Sequence, residues 1–148
     1  MYYLDTSVLL VHTLVQSAEP DRHRDVSRLL AAFHRHQIMP VTSFYALHEV
    51  FLFALAQAPD PETGNRFGTG ALVEILSLPI RVLPLLTRTE RTQHSKRFSN
   101  LPDSSDIPHA VAAYLGGCQV LVAYDDHFKR LPPSMRYLTP GQLVDELT

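Results

Sequence analysis

Apolar residues in the chain fall into two kinds of run, and their alternation predicts an α/β fold. Val120-Leu121-Val122 is a continuous apolar run, typical of a strand buried in a parallel sheet. The segment from Asp21 to His36 instead carries its apolar residues at helical spacing, from Val26 to Phe33. Because strands and helices of these kinds alternate, we predict three α/β/α layers around a mainly parallel sheet of four to five strands.

The same patterns place the individual elements within one domain spanning residues 1–148. The predicted strands are 2–5, 38–42, 80–85, 119–123 and 136–138. The predicted helices are 7–15, 21–36, 44–58, 71–77, 87–97 and 105–115, with a helical turn near His127 and a last helix from Pro140. The Pro- and Gly-rich stretch from Pro59 to Gly70 predicts a long mobile loop.

Four acidic residues, Asp5, Glu49, Asp106 and Asp125, lie inside apolar segments. Burying an unpaired carboxylate is costly, and few cationic residues stand near them in the sequence. A bound divalent cation is the simplest compensation.

Two of these acids come at the carboxyl ends of predicted strands. Asp5 follows Tyr2-Tyr3-Leu4, and Asp125 follows the strand of residues 119–123. Ligands of open α/β sheets bind in the crevice beyond these strand ends. We therefore expect Asp5 and Asp125 to share a ligand.

Glu49 lies on the segment 44–58, which is apolar on nearly every face and predicts a buried helix. Its helical neighbours three and four residues away are all apolar or aromatic, so none pairs with its charge. A cation would compensate Glu49, as would His48 or an arginine from another element.

Asp106 opens a helical pattern that ends at Gly116-Gly117, as a helix terminus should. Taken alone, Asp106 fits helix capping better than metal binding, and Asp5 and Asp125 fit turns or caps as well as ligands. Four such acids in one small domain favour a shared metal site.

Four segments in this order resemble the PIN-domain ribonucleases: Leu4-Asp5-Thr6-Ser7, the helical Glu49, Asp106-Ile107-Pro108-His109-Ala110 and Asp125-Asp126-His127-Phe128. Length and layout are similar to the VapC-type toxins of toxin-antitoxin pairs, from Met1 to about Pro140. The family often carries Thr or Ser and then a small polar residue before the last acid. Ala123 and Tyr124 stand at these positions instead. One supporting contact to metal or phosphate, which the polar residues of the family would make, is therefore left open.

The resemblance implies a Mg²⁺- or Mn²⁺-dependent endoribonuclease whose four acids form the catalytic metal site. Oxygen ligands alone also favour Mg²⁺ or Mn²⁺ over Zn²⁺. We expect Asp5 and Asp125 to be direct ligands and Asp106 a third, directly or through water. Glu49 is expected to bind a second ion or to orient the attacking water. The family further implies an antitoxin partner and a homodimer.

The charge and composition limit the alternatives. With a formal net charge of −2, the chain as a whole does not attract RNA, so contacts must be local. The candidates are Arg22, Arg24, Arg28, Arg35, Arg88, Arg91, Lys96 and Arg97. Single-stranded or loop regions of RNA are the expected substrate, and a cytoplasmic protein without a membrane span is expected.

Other sites do not fit the spacing. His48-Glu49 would need a second histidine at position 52, where Leu52 stands, to form a zinc-protease helix. No glycine-rich phosphate loop follows the first strand. Two other functions stay open: a catalytically idle PIN-like domain that only binds proteins, and a DNA-directed nuclease of the same superfamily.

Overall fold

Five strands form one sheet in the computed structural model, which describes all residues from Met1 to Thr148. The strands are β1 (Tyr2–Leu4), β2 (Val41–Ser43), β3 (Arg81–Leu83), β4 (Val120–Val122) and β5 (Arg136–Leu138). Their order is β3-β2-β1-β4-β5, and every neighbouring pair is parallel. The predicted parallel sheet is confirmed.

Seven α-helices surround the sheet. They are α1 (Thr6–Thr13), α2 (Pro20–Arg35), α3 (Phe44–Gln57), α4 (Pro61–Leu76), α5 (Arg88–His94), α6 (Ile107–Leu115) and α7 (Pro140–Leu147). Short 3₁₀ helices span Ser95–Phe98, Ser104–Asp106 and Asp126–Arg130. None of the helices has the length and hydrophobicity that crossing a membrane requires.

The sheet separates two hydrophobic cores because successive side chains of a strand point to opposite faces. Leu4 and Val122 face a core completed by α1, α2, α3, α4 and α7. Tyr3 and Leu121 face a second core, built mainly by α6 and Phe128. The predicted three layers are therefore confirmed.

The predicted loop from Pro59 to Gly70 is wrong, because most of this stretch belongs to α4. Asp60 caps the helix by accepting a 2.8 Å hydrogen bond from the Thr63 N–H, and Pro61 takes the first helical position. The glycines permit close packing: a Cβ at Gly68 would lie 2.6 Å from the Phe51 ring of α3. Glycine here lets two helices touch.

The prediction that the helix bearing Glu49 is buried on all sides is also wrong. Phe44 is 50% exposed and Leu52 is 47% exposed. Only one side of α3, which includes Ala46 and Val50, lies in the core. The outer face of α3 is apolar but lies on the protein surface.

The strand order creates a switch point between β1 and β4. From β1 the chain proceeds to β2 and β3 on one side, and it later returns to β4 and β5 on the other. Asp5 and Asp125 follow the two strands at this point, where open α/β sheets bind ligands.

Candidate functional site

Asp5 is a buried carboxylate, only 6% exposed, at the end of β1. Its Oδ2 accepts hydrogen bonds from the Ser7 N–H at 3.0 Å and the Ser7 hydroxyl at 2.7 Å, so Asp5 does cap α1. Its Oδ1 lies 3.8 Å from Nδ1 of His109. Burial raises the pKa of Asp5, although His109 and Ser7 oppose the rise.

Asp125 also caps a helix with one oxygen, since its Oδ1 accepts a 2.9 Å hydrogen bond from the His127 N–H. The imidazole of His127 turns back toward the same acid, with Nδ1 3.3 Å from Asp125 Oδ1. The same nitrogen lies 3.4 Å from Asp106 Oδ2. His127 thus stands between Asp106 and Asp125.

Asp106 does not cap a helix, contrary to the alternative that its position alone favoured. Asp103 is the capping residue, accepting a 2.9 Å hydrogen bond from the Ser105 N–H. Asp106 makes no capping bond, and its Oδ2 is buried without a hydrogen bond of good geometry. Burial, followed by the charges of Asp125 and Asp5, raises the pKa of Asp106 to about 6.

Glu49 reaches from α3 toward the same edge of the sheet, and its side chain is 40% exposed. The Thr6 hydroxyl donates to Oε2, and Nε2 of His109 lies 2.9 Å from Oε1. Partial burial raises the pKa of Glu49, but His109 and Thr6 outweigh it, and the net shift is downward. Its hydrogen-bond partners are Thr6 and His109 rather than an arginine, and the charge of His48 adds a smaller lowering of its pKa.

The four predicted acids meet as two pairs, and each pair encloses one histidine. His109 lies between Asp5 and Glu49, and His127 lies between Asp106 and Asp125. Repulsion links the two pairs, because the charge of Asp5 raises the pKa of Asp106. The acids therefore share one electrostatic environment beyond the carboxyl ends of the strands.

Sequence reasoning named both histidines only as members of the family segments and assigned no role to them or to Asp103. Ligand atoms of Asp103, Asp106 and His127 lie within 4.8 Å of one another. The spacing of His127, two residues after Asp125, was a usable local signal. No local signal pointed to His109, because its partner Glu49 lies 60 residues away.

The arrangement suits a divalent cation. Asp106 Oδ2 is a buried oxygen without a hydrogen bond of good geometry, in a site where acids outnumber cationic groups. Carboxylates are the oxygen ligands that Mg²⁺ and Mn²⁺ prefer. The imidazole of His127 lies among these carboxylates and offers a nitrogen, which transition metals take more readily than Mg²⁺ does.

Tyr124, one of the two departures from the family pattern, joins the site to α2. Its backbone N–H donates a 3.0 Å hydrogen bond to the Ser7 hydroxyl. Its own hydroxyl donates to the carbonyl oxygen of Arg22 at 3.0 Å, and the Arg22 guanidinium lies 4.6 Å from the ring centroid. Arg22 is thereby held beside the residue that precedes Asp125.

Comparison with known proteins agrees with this fold. The family model described as the PIN domain matches residues 2–132, and the chain belongs to that family. No curated protein matches the sequence.

Similar solved structures include VapC-type toxins of three bacteria. VapBC2 of Rickettsia felis, bound to a promoter DNA fragment, has a TM-score of 0.63 at 16% identity over 93% of this chain and 97% of that one. Mycobacterium tuberculosis VapC20, described as a sarcin-ricin loop cleaving toxin, has a TM-score of 0.63 at 22% identity over 87% and 94%. DNA-bound VapBC of Salmonella typhimurium has a TM-score of 0.59 at 20% identity over 94% and 97%. The fold is that of VapC proteins.

Proposed function

We propose that this protein is a Mg²⁺- or Mn²⁺-dependent endoribonuclease and the toxin of a toxin-antitoxin pair. One observation carries the proposal: the buried Oδ2 of Asp106 makes no hydrogen bond of good geometry, with His127 Nδ1 3.4 Å away, within a group of four acids at the sheet's switch point. Such an oxygen is costly to bury unless a ligand compensates it. A resident cation is the compensation that carboxylates favour.

We assign Asp5, Asp106 and Asp125 as the ligands of this cation. Asp5 offers Oδ1, because its Oδ2 is occupied by Ser7. Asp125 offers Oδ2, because its Oδ1 caps the following helical turn. Asp106 offers Oδ2, which makes no hydrogen bond of good geometry. When bound, Mg²⁺ or Mn²⁺ neutralises phosphate charge and lowers the pKa of water.

Glu49 has a different role in this proposal. Both of its oxygens already accept hydrogen bonds, from Thr6 and from His109, which fixes the direction of the carboxylate. Partial exposure leaves it in contact with solvent at the mouth of the site. We assign it to the cation site, where it binds a second cation or the water held by the first and so orients the attacking water.

RNA contact is assigned first to Arg22 among the eight basic candidates. Its guanidinium lies over the ring of Tyr124, the residue before Asp125, and also donates to Glu19. A positive charge there offsets the repulsion between four carboxylates and a phosphodiester. Single-stranded or loop regions are the proposed substrate, because their backbone is accessible to a small active site. A VapC neighbour described as cleaving the sarcin-ricin loop supports testing such loops.

The family resemblance also leads us to propose a cytoplasmic homodimer that binds a protein antitoxin. An apolar groove beside α3 and α4, lined by Leu14, Phe53, Ala58 and Phe67, fits an apolar segment of such a partner. The exposed apolar face of α3 supports dimerisation.

The test is to map 5′ ends after incubating the protein with total cellular RNA and Mn²⁺, with and without chelator. We expect discrete new ends that disappear with chelator and with Asp125→Asn. Matched single-stranded DNA in the same assay should stay intact. Cleavage of DNA alone would instead identify a DNA-directed nuclease, and intact RNA and DNA would identify a binding-only domain.

A further inference from the structure

His109 is the centre of a buried hydrogen-bond chain that ends at the candidate site. Its side chain is 1% exposed. Nδ1 lies 2.8 Å from the Tyr3 hydroxyl, which lies 2.6 Å from the Ser43 hydroxyl. Nε2 lies 2.9 Å from Glu49 Oε1. The chain therefore links β1, β2 and α6 to the acid on α3.

Every side-chain polar atom of this chain has a hydrogen-bond partner. A carboxylate only accepts hydrogen bonds, so Nε2 of His109 donates to Glu49 whether the imidazole is neutral or protonated. With a neutral imidazole the Tyr3 hydroxyl donates to Nδ1 and accepts from the Ser43 hydroxyl, and with a protonated imidazole both directions reverse. Ser43 Oγ in turn accepts from the Ala46 N–H, in the first turn of the helix that carries Glu49. The hydrogen bond between Nδ1 and Tyr3 thus holds the imidazole ring in place, and this sets the direction of its Nε2–H.

Glu49 needs this support because little else on its own helix holds it. Its side chain is partly exposed, and its only other hydrogen bond comes from Thr6. A partly exposed glutamate held at both oxygens by two different helices has lost its rotational freedom before any ligand arrives. Loss of the imidazole would leave Oε1 to water and the carboxylate free to turn.

We propose that His109 is a positioning residue, which holds Glu49 in the direction that the cation site requires. This inference rests on the proposed function insofar as Glu49 belongs to that site. His109 itself need not touch cation or RNA. Groups that orient metal ligands typically contribute about 10- to 100-fold to metal affinity or activity.

Calorimetric titration with Mn²⁺ tests the proposal without RNA. We expect His109→Leu to weaken Mn²⁺ binding by about 10-fold or more. His109→Gln should recover most of this loss, because its amide N–H replaces the Nε2–H donor. In a Glu49→Gln background, His109→Leu should cause no additional loss. His12→Gln is the control: this histidine pairs with Glu74 and with none of the four acids, so Mn²⁺ binding should stay unchanged.

Unchanged Mn²⁺ binding in His109→Leu would overturn the proposal, as would a loss that persists fully in the Glu49→Gln background. A His109→Gln variant as weak as His109→Leu would overturn it too, since that indicates a packing role only. If His109→Leu fails to fold, Tyr3→Phe replaces it as the test, because this variant removes the hydroxyl that contacts His109 Nδ1. Weaker binding in Tyr3→Phe that vanishes in the Glu49→Gln background supports the proposal, and unchanged binding overturns it. If wild-type protein leaves RNA intact while these Mn²⁺ results hold, only the proposed ribonuclease function falls.

Discussion

The Ser7 hydroxyl donates a 2.7 Å hydrogen bond to Oδ2 of Asp5. The same oxygen of Ser7 accepts the backbone N–H of Tyr124, so one side chain joins the ends of the two strands that carry Asp5 and Asp125. Because the donor at Tyr124 is a backbone group, this link does not depend on the side chain there. The departure at Ala123 and Tyr124 therefore leaves the support of Asp5 in place.

Asp5→Asn and Asp125→Asn should each lower RNA cleavage by more than about a hundredfold while the protein stays folded. Each change keeps the volume of the side chain and removes a charge that we assign to cation binding. Cleavage rates at saturating Mn²⁺, with circular dichroism as the check on folding, measure the effect. Near wild-type cleavage by either variant would show that the ligand assignment is wrong.

In chelator, Asp5→Asn should raise the melting temperature. Burial raises the pKa of Asp5, which means that the folded protein disfavours its charged form at neutral pH. Removing the charge removes that cost. A clear fall in melting temperature would contradict the crowded acidic site.

Asp106→Asn should stabilise the metal-free protein, and the gain should grow with pH. The pKa of Asp106 is about 6 in the folded protein against an ordinary 3.8, so its protonated form favours folding. That contribution is complete below pH 3.8 and is lost as the pH rises through about 6. Urea denaturation in chelator between these values and neutral pH measures the difference between variant and wild type.

Asp103→Asn is the matched control, because its expected effect on folding stability is opposite to that of Asp106→Asn. Hydrogen bonds from the Ser105 N–H and hydroxyl lower the pKa of Asp103, so its charged form favours folding. This variant should lose stability above pH 3.8. A gain of stability in both variants would show that general charge repulsion, rather than the buried oxygen of Asp106, governs the response.

The stability that depends on the Glu49–His109 pair should be greatest between pH 4.5 and 6.5, the ordinary pKa values of the two groups. The pKa of Glu49 is lowered, so its contribution is complete above 4.5 and is lost as the pH falls through the lowered value. The pKa of His109 is raised: burial lowers it, but the hydrogen bond to Glu49 and the charge of Asp5 outweigh burial. Its contribution is complete below 6.5 and is lost as the pH rises through the raised value.

Glu49→Gln tests this window by urea denaturation in chelator. The free energy of unfolding lost in the variant should peak inside the window and shrink on both sides of it. A loss that is independent of pH would show that the pair contributes through packing alone. The same variant should also cleave RNA poorly, as expected for a carboxylate that orients the attacking water.

Leu52→Glu should convert the proposed dimer into a monomer at micromolar concentration. The leucine is 47% exposed on the apolar outer face of α3, and a charge there would be buried in the interface at high cost. Leu85→Glu is the control, because Leu85 is 55% exposed in the loop after β3. Light scattering distinguishes the species, and a monomeric wild type would remove the dimer from the proposal.

Mn²⁺ at about one hundred times its dissociation constant should stabilise the wild type by about 2.7 kcal/mol. The folded protein alone gathers the ligands from distant parts of the chain, so binding favours folding. Thermal melts with Mn²⁺ and with chelator measure the effect. Asp125→Asn should show little stabilisation, and an equal shift in this variant would place the cation elsewhere.

Features that follow from local sequence were predicted well. Asp5 and Asp125 were placed correctly because a strand end is marked by adjacent residues. Which acid of Asp103-Ser104-Ser105-Asp106 caps the helix was not decidable from composition, since both suit a first turn. In the structure the Asp103 side chain makes the capping hydrogen bond, and the Asp106 side chain makes none.

Features that depend on distant contacts were not predicted. Gly64 and Gly68 indicated a flexible loop because their packing partners, Leu55 and Phe51, are recognisable only in the folded protein. The partner of Glu49 was missed for the same reason. Local patterns define the elements, whereas contacts between elements decide what holds each carboxylate.

The central position of β1 has a consequence for synthesis of the protein. Tyr2 pairs with Val120, so β1 lacks one of its two neighbours in the middle of the sheet until β4 has been made. Such distant pairing is entropically slow to form, and Asp125 joins the site only afterwards. A nascent or truncated chain that lacks β4 therefore does not bring the four acids together, and the proposed nuclease centre forms only after residues 120–125 have been translated.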